Sequence, residues 1–122
     1  MANPKTIKID EVEYVRMDSI EAKAESLNGM DYVIIRGDRS GVFAGYLESR
    51  KDREVIIREC RRLWYWDGAS SLSQLSVDGV SKPGTCKFPV AVEKAEILDV
   101  IEVIPATEKA RKSIECVGVW KQ

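Results

Sequence analysis

The residues best suited to ligand binding lie in one short segment, RRLWYWDGASSLSQL, which begins at Arg61. It places two arginines beside Trp64 and Trp66, and small hydroxyl residues follow directly. Arginine forms paired hydrogen bonds with phosphate, and an aromatic face stacks on a nucleotide base with roughly 1–3 kcal/mol. The segment therefore indicates either a pocket for a flat, anionic molecule or a densely packed part of the core.

If this segment is extended, alternate side chains lie on opposite faces. Leu63 and Tyr65 are natural core residues, and Arg61 shares their face, although whether Arg61 or Arg62 points into a site stays open. The other face is left for a groove, a partner or solvent, and it carries Arg62, Trp64 and Trp66. Exposed tryptophans favour aggregation unless something covers them. Because buried aromatic residues are ordinary, packing against a helix or a second subunit is the favoured interpretation of this segment alone.

Two further groups of residues are candidates for the same pocket. Arg36 and Arg39 flank the turn DRSG and could reach the same anion, although a hairpin turn with solvated arginines is favoured there. Ser71 is placed to cap a helix whose N-terminus offers unpaired N–H groups and a partial positive charge.

Three more residues are weaker candidates. Phe43 and Phe88 are more typical of a core than of a stacking site. Arg111 belongs to a predicted solvated helix face, and from there it could close a pocket in a neighbouring subunit.

The patterning predicts an α+β fold, a single antiparallel β-sheet of meander type with two or three short helices. Strands are expected at 31–37, 42–49 and 53–60, with one or two more in 88–105, broken near Glu93–Lys94. VGVW, 117–120, is expected to be a short terminal strand or docking segment.

Helices are expected at 18–29, near 71–79 and at 107–116. Ser71 with Gln74 fits a capping box, Gly79 fits a helix stop, and Thr107 fits a cap. Residues 1–30 form an N-terminal strand and helix extension, with a strand or arm at 6–17. Residues 31–122 form a single α+β core domain.

The composition weighs against catalysis. The chain contains no histidine, which removes the commonest general base and metal ligand, so no enzyme, metal or cofactor is expected. A net charge of −1 offers no overall positive field for bulk nucleic acid. The cysteines are widely spaced, and neither a signal sequence nor a membrane segment is recognisable. These features predict a cytoplasmic protein without a membrane partner.

Over residues 31–120 the chain resembles a family of small phage and prophage proteins known only as a domain of unknown function. RRLWYWDGASSLSQL and CKFPV carry this resemblance most specifically. The resemblance extends to the Thoeris anti-defence sponges, phage proteins that bind the cyclic nucleotide signals of bacterial immunity without cleaving them. They act as homo-oligomers in the host cytoplasm, with sites near subunit interfaces.

The resemblance implies that this chain sequesters a cyclic ADP-ribose isomer or a cyclic oligonucleotide. It assigns stacking and charge pairing to aromatic and arginine residues, here Arg36, Arg61, Arg62, Trp64 or Trp66, Phe88 and Arg111. Other functions stay open at this point. The alternative is a non-catalytic protein-interaction module that uses the Trp64 and Trp66 face. A nucleic-acid binder is disfavoured by the net charge, and an enzyme by the missing histidine.

Overall fold

The computed structural model describes residues 23–121, so the strand or arm expected at 6–17 lies outside the described residues. Five antiparallel strands form one sheet in the order β4-β3-β2-β1-β5. Their bounds are β1 Asp31–Gly37, β2 Val42–Lys51, β3 Glu54–Arg62, β4 Val92–Ile97 and β5 Val100–Pro105. Within the described residues, the sheet is accompanied by two α-helices, α1 (Leu72–Asp78) and α2 (Glu108–Cys116), and by a short 3-10 turn at Pro83–Thr85. The α+β prediction is confirmed, although the fold is mainly β.

Both faces of the sheet are buried. On one face Tyr32 and Ile34 of β1 pack beneath the helices with a group that includes Phe88. On the other face Val33 and Ile35 pack within the curve of the sheet. A strand covered on both sides needs a continuous apolar run, and YVII in β1 provides one.

The sheet curls because its two edge strands are consecutive in the chain. Only Leu98–Asp99 separates β4 from β5, and from Ile97 to Val100 an extended chain reaches at most about 11 Å. The outer strands of a flat five-stranded sheet lie roughly 19 Å apart. The edges therefore converge here, where the Val100 N–H donates to the Arg53 carbonyl at 3.0 Å. The sheet is a partly closed barrel. The break between the two strands of 88–105 lies at Leu98–Asp99, so the prediction that it falls near Glu93–Lys94 is wrong by several residues.

A β-bulge in β3 gives this strand its bend. Between the pairs Ala44–Arg61 and Tyr46–Arg58, β3 has one residue more than β2. Glu59 takes up the extra length at φ 51°, a left-handed conformation that is costly for a non-glycine residue in a strand. Gly45 faces the bulge, since a Cβ there would lie 2.5 Å from Ile57 Cγ2 and 2.8 Å from the Arg58 carbonyl oxygen.

The caps of both helices follow the sequence pattern. The Ser71 hydroxyl accepts the N–H of Gln74 at 3.1 Å, and Gly79 at φ 75° ends α1, so the Ser71 cap and the Gly79 stop are confirmed. The capping box is not complete, because the Gln74 side chain accepts the N–H of Ser70 at 2.9 Å and not that of Ser71. In α2 the Thr107 hydroxyl accepts the N–H of Ala110 at 3.1 Å, which confirms that cap too.

The helix expected at 18–29 is wrong for its described part, residues 23–29. Asn28 and Gly29 both have positive φ and form a tight turn, across which Leu27 and Met30 exchange two backbone hydrogen bonds of 2.9 Å. Asn-Gly is the strongest short signal for such a hairpin turn, and here it outweighs the helical spacing around it. Neither helix of residues 23–121 has the length and apolar character that a membrane span requires.

We expect Gly45→Ala to lower the free energy of unfolding by about 1–3 kcal/mol, because the new methyl group collides with backbone and with a buried isoleucine. Gly84→Ala is the matched control, since a Cβ at Gly84 meets nothing within 4 Å. Urea denaturation of both variants measures the difference. Equal stability of the two would show that the bulge does not require glycine opposite to it.

Candidate ligand-binding site

Three of the predicted site residues line one cavity at the end of the barrel. Arg62 ends β3, and Trp64 and Trp66 follow it as the chain leaves the sheet. Together with the turn between β1 and β2, at residues 40–42, they enclose about 390 Å³. We refer to this space as the Trp64 cavity.

Arg62 is held in place at the rim of the Trp64 cavity. Its guanidinium carbon lies 4.4 Å from the ring centre of Phe43, within range of a cation–π interaction. Its Nη1 donates to the carbonyl oxygen of Ser40 at 2.7 Å. Phe43 itself is buried and acts as a support for Arg62. The charged group is therefore oriented in advance, which reduces the entropy that a ligand would cost on binding.

Trp64 is the most exposed aromatic residue beside the cavity, at 59%. Its ring stacks on Trp120, with 5.1 Å between ring centres and planes 8° apart. Lys87 Nζ lies 5.5 Å from the Trp64 ring centre and 5.9 Å from that of Trp120. The stack positions the Trp64 indole while leaving much of it open to solvent.

Trp120 is a residue that sequence reasoning missed. The predicted terminal segment docks beside Phe88, where Val119 forms a parallel bridge and the Trp120 N–H donates to the Phe88 carbonyl at 2.9 Å. The terminal Val-Gly-Val-Trp pattern was the available signal, because its apolar residues indicated docking. Nothing in the sequence indicated that the docked tryptophan would meet Trp64.

Tyr65 and Trp66 depart from strict alternation. The prediction that Tyr65 is a core residue is wrong, since 48% of it is exposed. The reason is that β3 ends at Arg62, so the two-residue period no longer governs the side chains beyond it. Trp66 is half-buried and packs against the cluster beneath the helices.

Arg36 and Arg39 flank the cavity. Arg36 is exposed and pairs in register with Val42, a residue of the cavity wall. Arg39 lies in the adjoining turn, which Asp99 holds by accepting the backbone N–H of Arg39 at 2.8 Å and the Ser40 hydroxyl at 2.6 Å. These hydrogen bonds, Ser40 first, lower the pKa of Asp99. Within residues 23–121, neither of these arginines nor Arg62 forms an ion pair.

Arg61 is buried and does not line the Trp64 cavity, so Arg62 is the one of these two adjacent arginines that lies at this cavity. It is 7% exposed, and its guanidinium donates to the carbonyl oxygens of four residues at 2.9–3.2 Å: Phe88, Pro89, Ile114 and Gly118. No carboxylate accompanies it among these hydrogen bonds. Desolvation on burial lowers its pKa, and the carbonyl dipoles stabilise its charge. The hydrogen-bond donors of Arg61 therefore stabilise the fold.

The remaining candidates lie outside the cavity. Phe88 is fully buried in the core, and the Ser71 hydroxyl is occupied in capping α1. Arg111 pairs within α2 with Glu108 and with Glu115, the latter at 2.8 Å. The structure thus brings three of the predicted residues, Arg62, Trp64 and Trp66, to one cavity, with Phe43 beneath Arg62. Arg36 and Arg39 lie on the adjoining strand and turn.

The family of this chain is shown by sequence comparison. A family model described as domain of unknown function DUF6948 matches residues 30–114, which is more than half of the chain. The chain belongs to the DUF6948 family. The match spans β1 to most of α2 and includes the Arg61–Gln74 segment, so the whole sheet lies within the matched region. No curated protein and no solved structure matches the chain.

Adjacent arginines should differ sharply in their effect on stability. We expect Arg61→Met to lower the free energy of unfolding by about 3 kcal/mol or more, because it leaves several buried carbonyl groups without donors. Arg62→Met should cost about 1 kcal/mol or less, because it removes one exposed hydrogen bond and one cation–π contact. Denaturant titration of both variants tests this; similar losses would contradict the separation of roles.

The ion pairs of α2 predict acid sensitivity. The Arg111 guanidinium, assisted by the backbone N–H of Glu25, lowers the pKa of Glu108 from 4.5 to about 2. A lowered carboxyl pKa stabilises the fold above pH 4.5, and this contribution is lost as the pH falls towards 2. The Tm of wild type should therefore fall more steeply over that range than the Tm of Glu108→Gln. Parallel Tm curves would contradict the pairing.

Proposed function

We propose that the protein binds an anionic nucleotide at the Trp64 cavity and holds it without chemical change. The observation that carries this proposal is the placement of a pre-oriented cation, Arg62, and a largely exposed indole, Trp64, around one cavity. A nucleotide presents a flat base and a phosphate side by side, and these two groups match the stacking surface and the guanidinium.

Arg36 and Arg39 support the same proposal. They lie on the strand and turn that border the cavity, and neither is neutralised by an ion pair within residues 23–121. In this proposal, a ligand with more than one phosphate pairs with these neighbouring cations as well as with Arg62. A cavity of about 390 Å³ suits a small organic ligand rather than a polymer.

The ligand in this proposal is a cyclic nucleotide of bacterial immune signalling, a cyclic ADP-ribose isomer or a cyclic oligonucleotide. The resemblance to phage anti-defence sponges supports this choice. The protein would act in the host cytoplasm, as a homo-oligomer, by lowering the free concentration of the signal. A sponge needs no general base, and the chain has no histidine.

A second candidate is a non-catalytic protein-interaction module. The observation in its favour is the aromatic surface next to the cavity, where Trp64 is 59% and Tyr65 48% exposed. Tryptophan and tyrosine are enriched among the residues that dominate binding energy at interfaces. A protein partner would cover the Trp64 and Trp66 side of the barrel end.

Incubation with a panel of cyclic ADP-ribose isomers and cyclic di- and trinucleotides, followed by filtration and heat denaturation, tests the proposal. We expect one nucleotide to be depleted from the filtrate and recovered unchanged after heating. Altered recovery would indicate an enzyme, and no depletion of any nucleotide would favour the interaction module.

Arg62→Met should weaken binding of the depleted nucleotide at least about tenfold, because a charge-assisted hydrogen bond contributes about 1.5–3 kcal/mol. Arg50→Met is the matched control, an exposed arginine of β2 outside the cavity lining, and it should bind as wild type does. Isothermal titration calorimetry measures both affinities. Unchanged affinity of Arg62→Met would contradict the assignment of the site.

A further inference from the structure

A second cavity lies on the helix-covered side of the barrel, away from the Trp64 site. It encloses about 440 Å³ between the β3 bulge, the segment 89–91 and the C-terminal segment. We call it the Tyr32 cavity. Its polar lining is Tyr32, Glu59, Arg61 and Glu115, and its apolar lining includes Val90 and Val119.

Tyr32 is the first sign that this cavity accepts a ligand. The residue is 2% exposed and lines the cavity, yet its hydroxyl has no hydrogen-bond partner within residues 23–121. A buried hydroxyl without a partner is unfavourable, and such groups are rare in folded proteins. A bound molecule with a hydrogen-bond donor would satisfy this oxygen.

Glu59 is the second sign, and it is independent of the first. Of the non-glycine residues with positive φ in the described chain, Asn28 and Asp52 lie in tight turns, where this conformation is ordinary. Glu59 lies within β3 at φ 51°. Glycine would be unstrained there, and strained residues in bulges often orient a functional side chain. The carboxylate that the bulge presents to the cavity has no ion pair within residues 23–121.

Glu59 is the carboxylate of this lining that is still open to a ligand, because Glu115 already pairs with Arg111. Arg61 also lines the cavity, and its guanidinium donates to four carbonyl oxygens, one of them from Ile114 in the last turn of α2, where the helix dipole is negative. These dipoles offset part of the Arg61 charge, and the Glu59 carboxylate is the group with which a cationic ligand would pair.

We propose that the Tyr32 cavity binds a primary alkylammonium group. The Glu59 carboxylate is its ion-pair partner, the Tyr32 hydroxyl accepts a hydrogen bond from it, and Val90 and Val119 contact its aliphatic stem. This site takes a ligand of opposite charge to the nucleotide at the Trp64 cavity, and it does not depend on that proposal.

Titration of the full chain with pentylamine, followed by amide NMR shifts at neutral pH, tests the chemistry. Pentanol is the matched neutral probe and pentanoate the matched anionic probe, and both carry the same kind of aliphatic stem. We expect saturable shifts around Tyr32 and Glu59 with pentylamine alone. An absence of saturation with pentylamine, or an equal response to pentanoate, would overturn the proposal.

Two pairs of variants separate a ligand-binding role from a structural one. Glu59→Gln should weaken pentylamine binding at least about tenfold, whereas Glu54→Gln, in the hairpin before it, should not. Glu59→Gly and Tyr32→Phe should also lose binding, yet keep a Tm at or above that of wild type. Glu59→Gly relieves the strained backbone conformation at positive φ, and Tyr32→Phe removes a hydroxyl without a partner in the described residues. A marked fall in Tm for both would show that these residues serve the fold and overturn the proposal.

A short capped peptide, Gly-Lys-Gly, distinguishes the source of the ammonium group. Tighter binding of the peptide than of pentylamine, with the same dependence on Glu59, supports a lysine side chain of a partner protein. Tighter binding of pentylamine supports a free small amine. Binding of the peptide that is independent of Glu59 would count against the site.

Discussion

The hydrogen bonds of Arg61 connect β3 to three other parts of the chain. The residue lies near the end of β3, and its carbonyl partners belong to the segment before β4, the last turn of α2 and the C-terminal segment. A guanidinium is well suited to this task, because it projects several N–H donors in one plane and always carries its charge. Without it the terminal segment, which carries Trp120 against Trp64, would lose one of its anchors beside Phe88.

The bulge at Glu59 decides which arginine performs this task. Before it, Val55 and Ile57 face the interior of the barrel; after it, Cys60 faces the same way. One additional residue thus moves every later side chain of β3 to the opposite face of the sheet. As a result Arg61 lies beneath the helices, while Arg62 lies over Phe43 at the barrel end. Both cavities depend on this one irregularity and on the glycine opposite to it.

Much of the fold was predictable from local pattern. The strands follow from periodicity, and the caps at Ser71 and Thr107 follow from polar residues at helix starts. The failures have different physical causes. The Asn28–Gly29 turn is local, and its signal conflicted with the helical spacing around it. The link at Leu98–Asp99 depends on pairings with distant strands, which a window of neighbouring residues does not reveal.

The residue types that form the site were predictable, but the individual residues that line it were less so. Trp64 and Trp66 stood out by type, and Arg62 by spacing. Arg61 has the same side chain as Arg62 and adjoins it, so sequence alone offered no reason to assign one to the interior framework and the other to a cavity. Trp120 joined the aromatic stack through the fold of the last few residues, over a separation in sequence that no motif spans.

The position of β5 has a consequence for how the chain is made. β1 pairs on one side with β2, its immediate neighbour in sequence, and on the other with β5, which ends at Pro105. During synthesis, the outer edge of β1 therefore stays unpaired until β5 has left the ribosome. An apolar strand with an open edge is a template for wrong pairing with other chains. Early release of a truncated chain would expose that edge permanently, so aggregation of incomplete products is the characteristic hazard of this topology.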